Sequence, residues 1–298
     1  MSFYELLVTN QSVLVASAIL LGLLVGSFLN VVIYRVPVML QRDWKAQCHE
    51  FLEIENQEPD PNDASAKHET FNLLKPDSHC PVCNHKISAW ENIPIFSYIF
   101  LRGKCSDCKT PISLRYPSVE LVAGLLSGLI AFTFGATWLT LALLLFTWAL
   151  VVLTLIDFDH QLLPDNITLP LLWLGLLVNS IGLGFGVSLQ DAVIGALVGY
   201  LVLWCFYWAF KLLTGKEGMG YGDFKLLAAL GAWMGWQSIL PIIILSSAVG
   251  AVFGVIAIYL FKRDKSAPMP YGPFLAGAGF IMLVWGPQLT GYYLGTFT

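Results

Sequence analysis

Seven stretches of this chain stay apolar for about twenty residues each, near 12–34, 117–135, 137–156, 167–185, 189–210, 239–261 and 273–294. A helix of that length spans a hydrocarbon core of about 30 Å. In lipid the backbone must satisfy its own hydrogen bonds, which restricts such segments to helices. A shorter run, 224–236, reaches only about 20 Å at about 1.5 Å per residue. It reads as an eighth helix, short or partly sunken. Composition agrees: 56% of the 298 residues are hydrophobic, only 12% are charged, and mean hydropathy is +0.69. Soluble domains carry about 25% charged residues. The expected fold is therefore an all-α polytopic membrane protein of about eight transmembrane helices. The first run lacks a basic leader and exceeds the usual length of a signal core, so it reads as a span.

Charge placement orients the bundle. All 16 Lys and Arg fall in three places: ten within 35–115, three at Lys211, Lys216 and Lys225, and three at Lys262, Arg263 and Lys265. The turns near 136, 186–188 and 236–238 carry none. Eight spans place every basic residue on one side, cytoplasmic by the positive-inside rule. Both termini are then expected outside. Three parts follow: 1–34 as outer tail and first span, 35–116 as a cytoplasmic insert between helices 1 and 2, and 117–298 as a bundle of seven helices. Within the insert, 46–66 holds six acidic residues and no Lys or Arg. It reads as a solvated linker, with an acidic lure for a basic peptide as the sharper alternative.

The insert carries CPVC at 80–83 and CSDC at 105–108, separated by 21 residues. Each Cys-x-x-Cys turn presents two thiolates to one ion, and two turns complete a tetrahedral site. Reducing cytosol disfavours the competing reading, disulfides or a redox pair. Zn2+ held by Cys80, Cys83, Cys105 and Cys108 is the expectation. Four protein ligands leave no open position, so the site is structural.

Few carboxylates remain among the spans, and an ionisable group at membrane depth costs at least about 2.5 kcal/mol, so each needs a reason. Asp191 opens a helix, where a carboxylate suits the helix dipole. Glu217 reads as solvated. Asp157 and Asp159 end the third span in LTLIDFDHQLLPDN, and Asp223 starts the short helix after GMGYG. Two carboxylates brought close resist double ionisation, so one keeps a proton. Such a pair can activate water against a peptide carbonyl, one member as base and the other as acid. Gly218, Gly220 and Gly222 would let an extended strand approach the backbone closely. Taken alone, Asp223 reads equally as a helix cap.

These residues resemble the type IV prepilin peptidases, intramembrane aspartyl proteases of the GxGD class. The resemblance covers nearly the whole chain. It rests on GSFLNVVIYRVP (26–37), the paired CxxC with PISLRYPSVEL (111–121), IDFDHQLLPD (156–165) and GMGYGDFK (218–225). It implies cleavage of the basic leader from prepilins of type IV pili and pseudopilins of type II secretion. N-methylation of the new N-terminus with S-adenosylmethionine is implied with it, in a multi-pass protein of the bacterial inner membrane. The catalytic aspartates carried over are Asp157 and Asp223. Asp159 is the rival for the first role, but residues two apart on a helix point roughly 200° from each other. Lys225 belongs to the family pattern and points away from Asp223 for the same reason, towards substrate or lipid. Methyl transfer is placed with the insert, where Glu120 in YPSVEL is a candidate polar contact. The competing class is a proton- or cation-coupled transporter. No nucleic-acid partner is expected.

Overall fold

The computed structural model describes residues 3–52, 71–259 and 269–295. The acidic side chains from Glu53 to Asp63 and the basic group Lys262, Arg263 and Lys265 lie outside the described residues. Ten α-helices are present among them: α1 (Phe3–Thr9), α2 (Gln11–Phe51), α3 (Phe96–Phe100), α4 (Arg115–Phe134), α5 (Trp138–His160), α6 (Asp165–Ser180), α7 (Leu189–Thr214), α8 (Tyr221–Met234), α9 (Ile239–Tyr259) and α10 (Gly272–Gly295). The described residues contain no strand, only isolated bridges at His79–Lys86 and Lys104–Pro111.

All eight expected runs are helical. Six of these helices, α2, α4, α5, α7, α9 and α10, are long and apolar enough to cross a membrane. The chain is thus a multi-pass membrane protein. The other two are shorter: α6 has 16 residues and α8 has 14, about 24 and 21 Å of rise. The first helix does not stop at Tyr34 but runs on to Phe51, through Pro37.

The chain forms two compact units, one of residues 1–18 and 126–298 and one of residues 19–125. In the larger unit α8 is the central element, packed by α6, α7 and α10. Ten of its residues are buried, from Asp223 through Trp233, as expected for a helix apolar on every side. Its close neighbours make room by omitting side chains. A Cβ at Gly199 of α7 would stand 2.7 Å from the Leu227 carbonyl, and Gly195 and Gly231 meet backbone to backbone. The stretch GALVG, 195–199, is a small-xxx-small contact of the kind that lets membrane helices approach. On the α6 side, Gly175 leaves space for the Trp233 indole, whose Nε1 donates to the Leu171 carbonyl at 2.9 Å. Phe146 of α5 completes the centre, 4.8 Å from Trp233 between ring centroids.

Candidate active site and metal centre

Local chemistry sets where each carboxylate stands. α5 starts at Thr137, whose hydroxyl accepts the Thr140 amide, and ends where Gln161 takes a left-handed conformation and donates to the Asp157 carbonyl. Asp157 therefore occupies the last turn, and Asp159, two residues on, faces the other way. Asp157 is 5% exposed, whereas Asp159 is exposed. Asp223 lies in the first turn of α8 and is 7% exposed.

The two buried aspartates converge. The Asp157 carboxylate lies within electrostatic range of Asp223. A chain of contacts joins their surroundings. Asp157 Oδ2 accepts the Gly272 amide at 2.9 Å, at the first residue of α10. A Cβ on Gly272 would stand 2.7 Å from that oxygen and 3.2 Å from Leu163, and one on Gly222 would stand 2.7 Å from Leu163. Leu163 thus wedges between the start of α10 and the glycine beside Asp223. The exposed N–H groups at a helix start suit a carboxylate.

The three glycines divide their roles. Gly218 packs on the Phe210 ring and Gly222 on Leu163, while the Cβ position of Gly220 is open, with the Asp223 carboxylate 4.0 Å away. Room beside Asp223 therefore comes from Gly220. Lys225 donates to both Asp165 oxygens at 2.7 Å, in the first turn of α6, whose N-cap is Pro164. Glu217 is exposed, as expected, and accepts from Lys211 at 2.8 Å. That partner holds its carboxyl below the ordinary glutamate range. Lys211 also bonds the Tyr207 hydroxyl at 3.2 Å. At the start of α7 the expected helix-opening role of Asp191 holds: Ser188 caps its amide and donates to its carboxylate.

Gly272 is a site residue that sequence reasoning misses. Its only signal is a glycine between Tyr271 and Pro273, at the start of an apolar run. The Tyr271 hydroxyl is held by Ser246 at 2.8 Å and Ser247 at 3.1 Å, which fixes the approach to Gly272.

In the smaller unit the four cysteines gather from two equivalent turns. In each, a residue of positive φ donates its N–H to the carbonyl of the first cysteine: Asn84 to Cys80, and Lys109 to Cys105. Cys80 and Cys108 sulfurs are 3.7 Å apart, Cys83 and Cys105 3.9 Å, and all four lie within 4.8 Å of one another. A tetrahedron with Zn–S bonds of about 2.3 Å has edges of about 3.8 Å. The cluster could hold a metal ion of that kind. The thiols of the cluster are pulled in opposite directions: the Thr110 hydroxyl brings Cys108 down to about 6, while burial and the neighbouring thiols push Cys83 up to about 12. Beside it, the Ser106 hydroxyl, then Ser88 and His85, hold the Glu91 carboxyl down to about 2.

Glu120, on α4, is 8% exposed. Its Oε2 accepts the Ile95 amide at 2.8 Å, and Gly26 of α2 packs against its backbone, where a Cβ would stand 2.7 Å from the Glu120 Cα.

The family described as Bacterial Peptidase A24 N-terminal domain matches residues 20–134, and the Type IV leader peptidase family matches residues 144–255. A prepilin leader peptidase/N-methyltransferase of Stutzerimonas stutzeri is 57% identical over 290 residues, 97% of each chain. That of Pseudomonas aeruginosa is 56% identical over 295 residues, 99% of this chain and 98% of the relative. That of Neisseria gonorrhoeae is 52% identical over 265 residues, 89% and 88%. No solved structure matches. By these matches, spanning both units, the chain belongs to the type IV leader peptidase family.

Proposed function

We propose that this protein cleaves the leader from prepilins and pseudopilins and then N-methylates the exposed terminus, with Asp157 and Asp223 as the water-activating pair. The observation that carries the assignment is that both are buried, one at the end of α5 and one at the start of α8, within electrostatic range of each other and 66 positions apart in sequence. Asp157 is not explained as a cap: it ends a helix, where a carboxylate opposes the dipole. Two such groups near each other share one proton. The ionised member takes a proton from water as it attacks the scissile carbonyl, and the protonated member donates to the carbonyl oxygen. Gly272 N–H fixes the rotamer of Asp157, and Gly220 leaves room for the substrate backbone beside Asp223.

For methyl transfer, S-adenosylmethionine supplies a methyl on a sulfonium. The unit of residues 19–125 supplies a scaffold closed by Zn2+ on Cys80, Cys83, Cys105 and Cys108. That unit is assigned to the cytoplasm and both termini to the far side of the bacterial inner membrane, with all eight expected runs counted as spans. The names of the relatives favour this reading over a proton- or cation-coupled transporter.

The test is cleavage of a prepilin-type peptide by detergent-purified protein, wild type against Asp157→Asn and Asp223→Asn. Wild type should cut and both variants should be inert. Cleavage by either variant overturns the pair.

A further inference from the structure

The segment Ala89–Leu101, AWENIPIFSYIFL, belongs by sequence to the polar insert, yet its thirteen residues are predominantly apolar. Runs of that length are too short to span and suit re-entrant or interfacial placement. Its side chains are turned outwards: Trp90 is 81% exposed, Phe96 66%, Ile99 67% and Phe100 88%. No residue of α3 is buried. Such a row of aromatic and aliphatic groups in water is unfavourable at about 25 cal/mol per Å2 of apolar surface.

The depth of this segment is set by two helices of the same unit. Asn92 Oδ1 accepts from Ser27 of α2 at 3.1 Å, and the Ile95 amide bonds Glu120 of α4 at 2.8 Å. Gly26 and Glu120 touch, so these anchors share one level. Ser27 lies eight residues inside Arg35, about 12 Å of helix, and Glu120 five residues inside Arg115, about 7.5 Å. Both helices are long and apolar enough to cross the membrane. The bonds therefore hold residues 92–95 at the level of Ser27 and Glu120, inside Arg35 and Arg115 along the two helices.

The backbone is built for that place. Pro94, Ile95 and Phe96 form a γ-turn of the rarer hand, with Ile95 at φ 60° and ψ −47° and the Phe96 amide donating to Pro94 O at 2.5 Å. That turn is strained, the more so at a β-branched residue. It persists because its outward N–H is taken by the buried Glu120 carboxylate. Past the turn, the amides of Ser97, Ile99, Leu101, Arg102 and Gly103 all find carbonyls within 93–101. Irregular backbone at membrane depth is tolerated where it is buried in protein, and here Pro94 is buried and the Ile95 amide is held by the buried Glu120 carboxylate.

We infer that residues 89–101 dock into the bilayer spanned by α2 and α4 through their exposed apolar face, with Glu120 as the anchor and Glu91, bonded to Ser88 and His85, kept at the polar edge. The partner is lipid: acyl chains against Phe96, Ile99 and Phe100, and the headgroup boundary against Trp90, where aromatic side chains settle. The inference rests on the membrane-spanning reading of α2 and α4. Its test separates the two. The photoreactive residue p-benzoylphenylalanine is placed at Phe100, at Trp90, at Leu125 of α4 (56% exposed) or at Val82 of the first cysteine turn (64% exposed). Each full-length protein is reconstituted in phosphatidylglycerol/phosphatidylcholine vesicles, irradiated and weighed intact. Phe100 and Trp90 should form lipid adducts at the level of Leu125 and several-fold above Val82. If Leu125 takes lipid while Phe100 and Trp90 stay at the Val82 level, or couple to a second protein, the segment is not in the bilayer. Absence of adduct at Leu125 would instead overturn the spanning reading, and the inference with it.

Discussion

Asp157 and Asp159 show how one residue's facing decides between two readings of the same motif. They share a helix turn and a charge, but one is buried beside Asp223 and the other is exposed. Asp159→Asn should keep cleavage within a few-fold of wild type, while Asp157→Asn abolishes it; comparable loss in both would mean that facing does not select the catalytic group. Gly272 allows a finer prediction. A methyl there would press on Asp157 Oδ2 at 2.7 Å and on Leu163 at 3.2 Å. The carboxylate must then leave its amide partner, and a displacement of about 1 Å near reacting atoms lowers turnover by about 100-fold. Gly272→Ala should lower kcat by that order with KM little changed, measured on a prepilin-type peptide. Asp157 and Asp223 are legible in sequence because an ionisable group near an apolar run needs a reason. Gly272 is not, since its role is a backbone N–H contributed from 115 positions away, and no side-chain chemistry marks it.

At the scale of elements, the helices are legible from apolar runs, and so is the shortness of α8, which has 14 residues. The length of α6 is not: it ends after 16 residues at Ser180, where loop chemistry overrides the apolar pattern. The α3 segment is hidden because charged neighbours dominate the insert's average composition. α8 is positioned by backbone contact, so its register against α7 leaves little tolerance. Gly199→Val would drive side-chain atoms into the Leu227 carbonyl, 2.7 Å from the first added carbon. Neither partner atom is flexible. Overpacking of this kind costs about 3 kcal/mol, and the variant should unfold at a lower denaturant midpoint and lose cleavage, because α8 carries Asp223. The loop before α8 is pinned by the Lys211–Glu217 pair. Glu217 has its folded value depressed by Lys211, so the pair contributes above the ordinary glutamate value of 4.5 and fades as pH falls through the lower folded value. Glu217→Gln should therefore turn over substrate more slowly than wild type near neutral pH, with the two profiles converging on the acid side. A constant ratio across pH would assign the effect to something other than the charge.

For the whole molecule, the two units differ in what stabilises them. The unit containing Asp157 and Asp223 has a continuous apolar core, with Phe146, Phe224, Leu227, Leu230 and Trp233 at 1% exposure or less. In the other unit, the described residues between 71 and 114 bury only Cys80, Pro94, Gly103 and Cys105. Two of these four are candidate metal ligands. A segment of that size with almost no core depends on a cross-link or a metal to fold, whereas the helical unit does not. Stripping metal with a strong chelator should therefore open residues 71–88 and 102–114 to protease while the segment from 138 to 259 stays protected. Cys80→Ser with Cys83→Ser should give the same cleavage pattern without chelator, and should lose stoichiometric zinc. The same samples should retain peptide cleavage better than N-methylation, because the buried aspartates draw their packing from α5, α6, α7, α8 and α10. An insert that resists protease after complete loss of metal would show that the cysteine cluster folds on its own. Loss of protection throughout the chain would show that the larger unit depends on the metal as well.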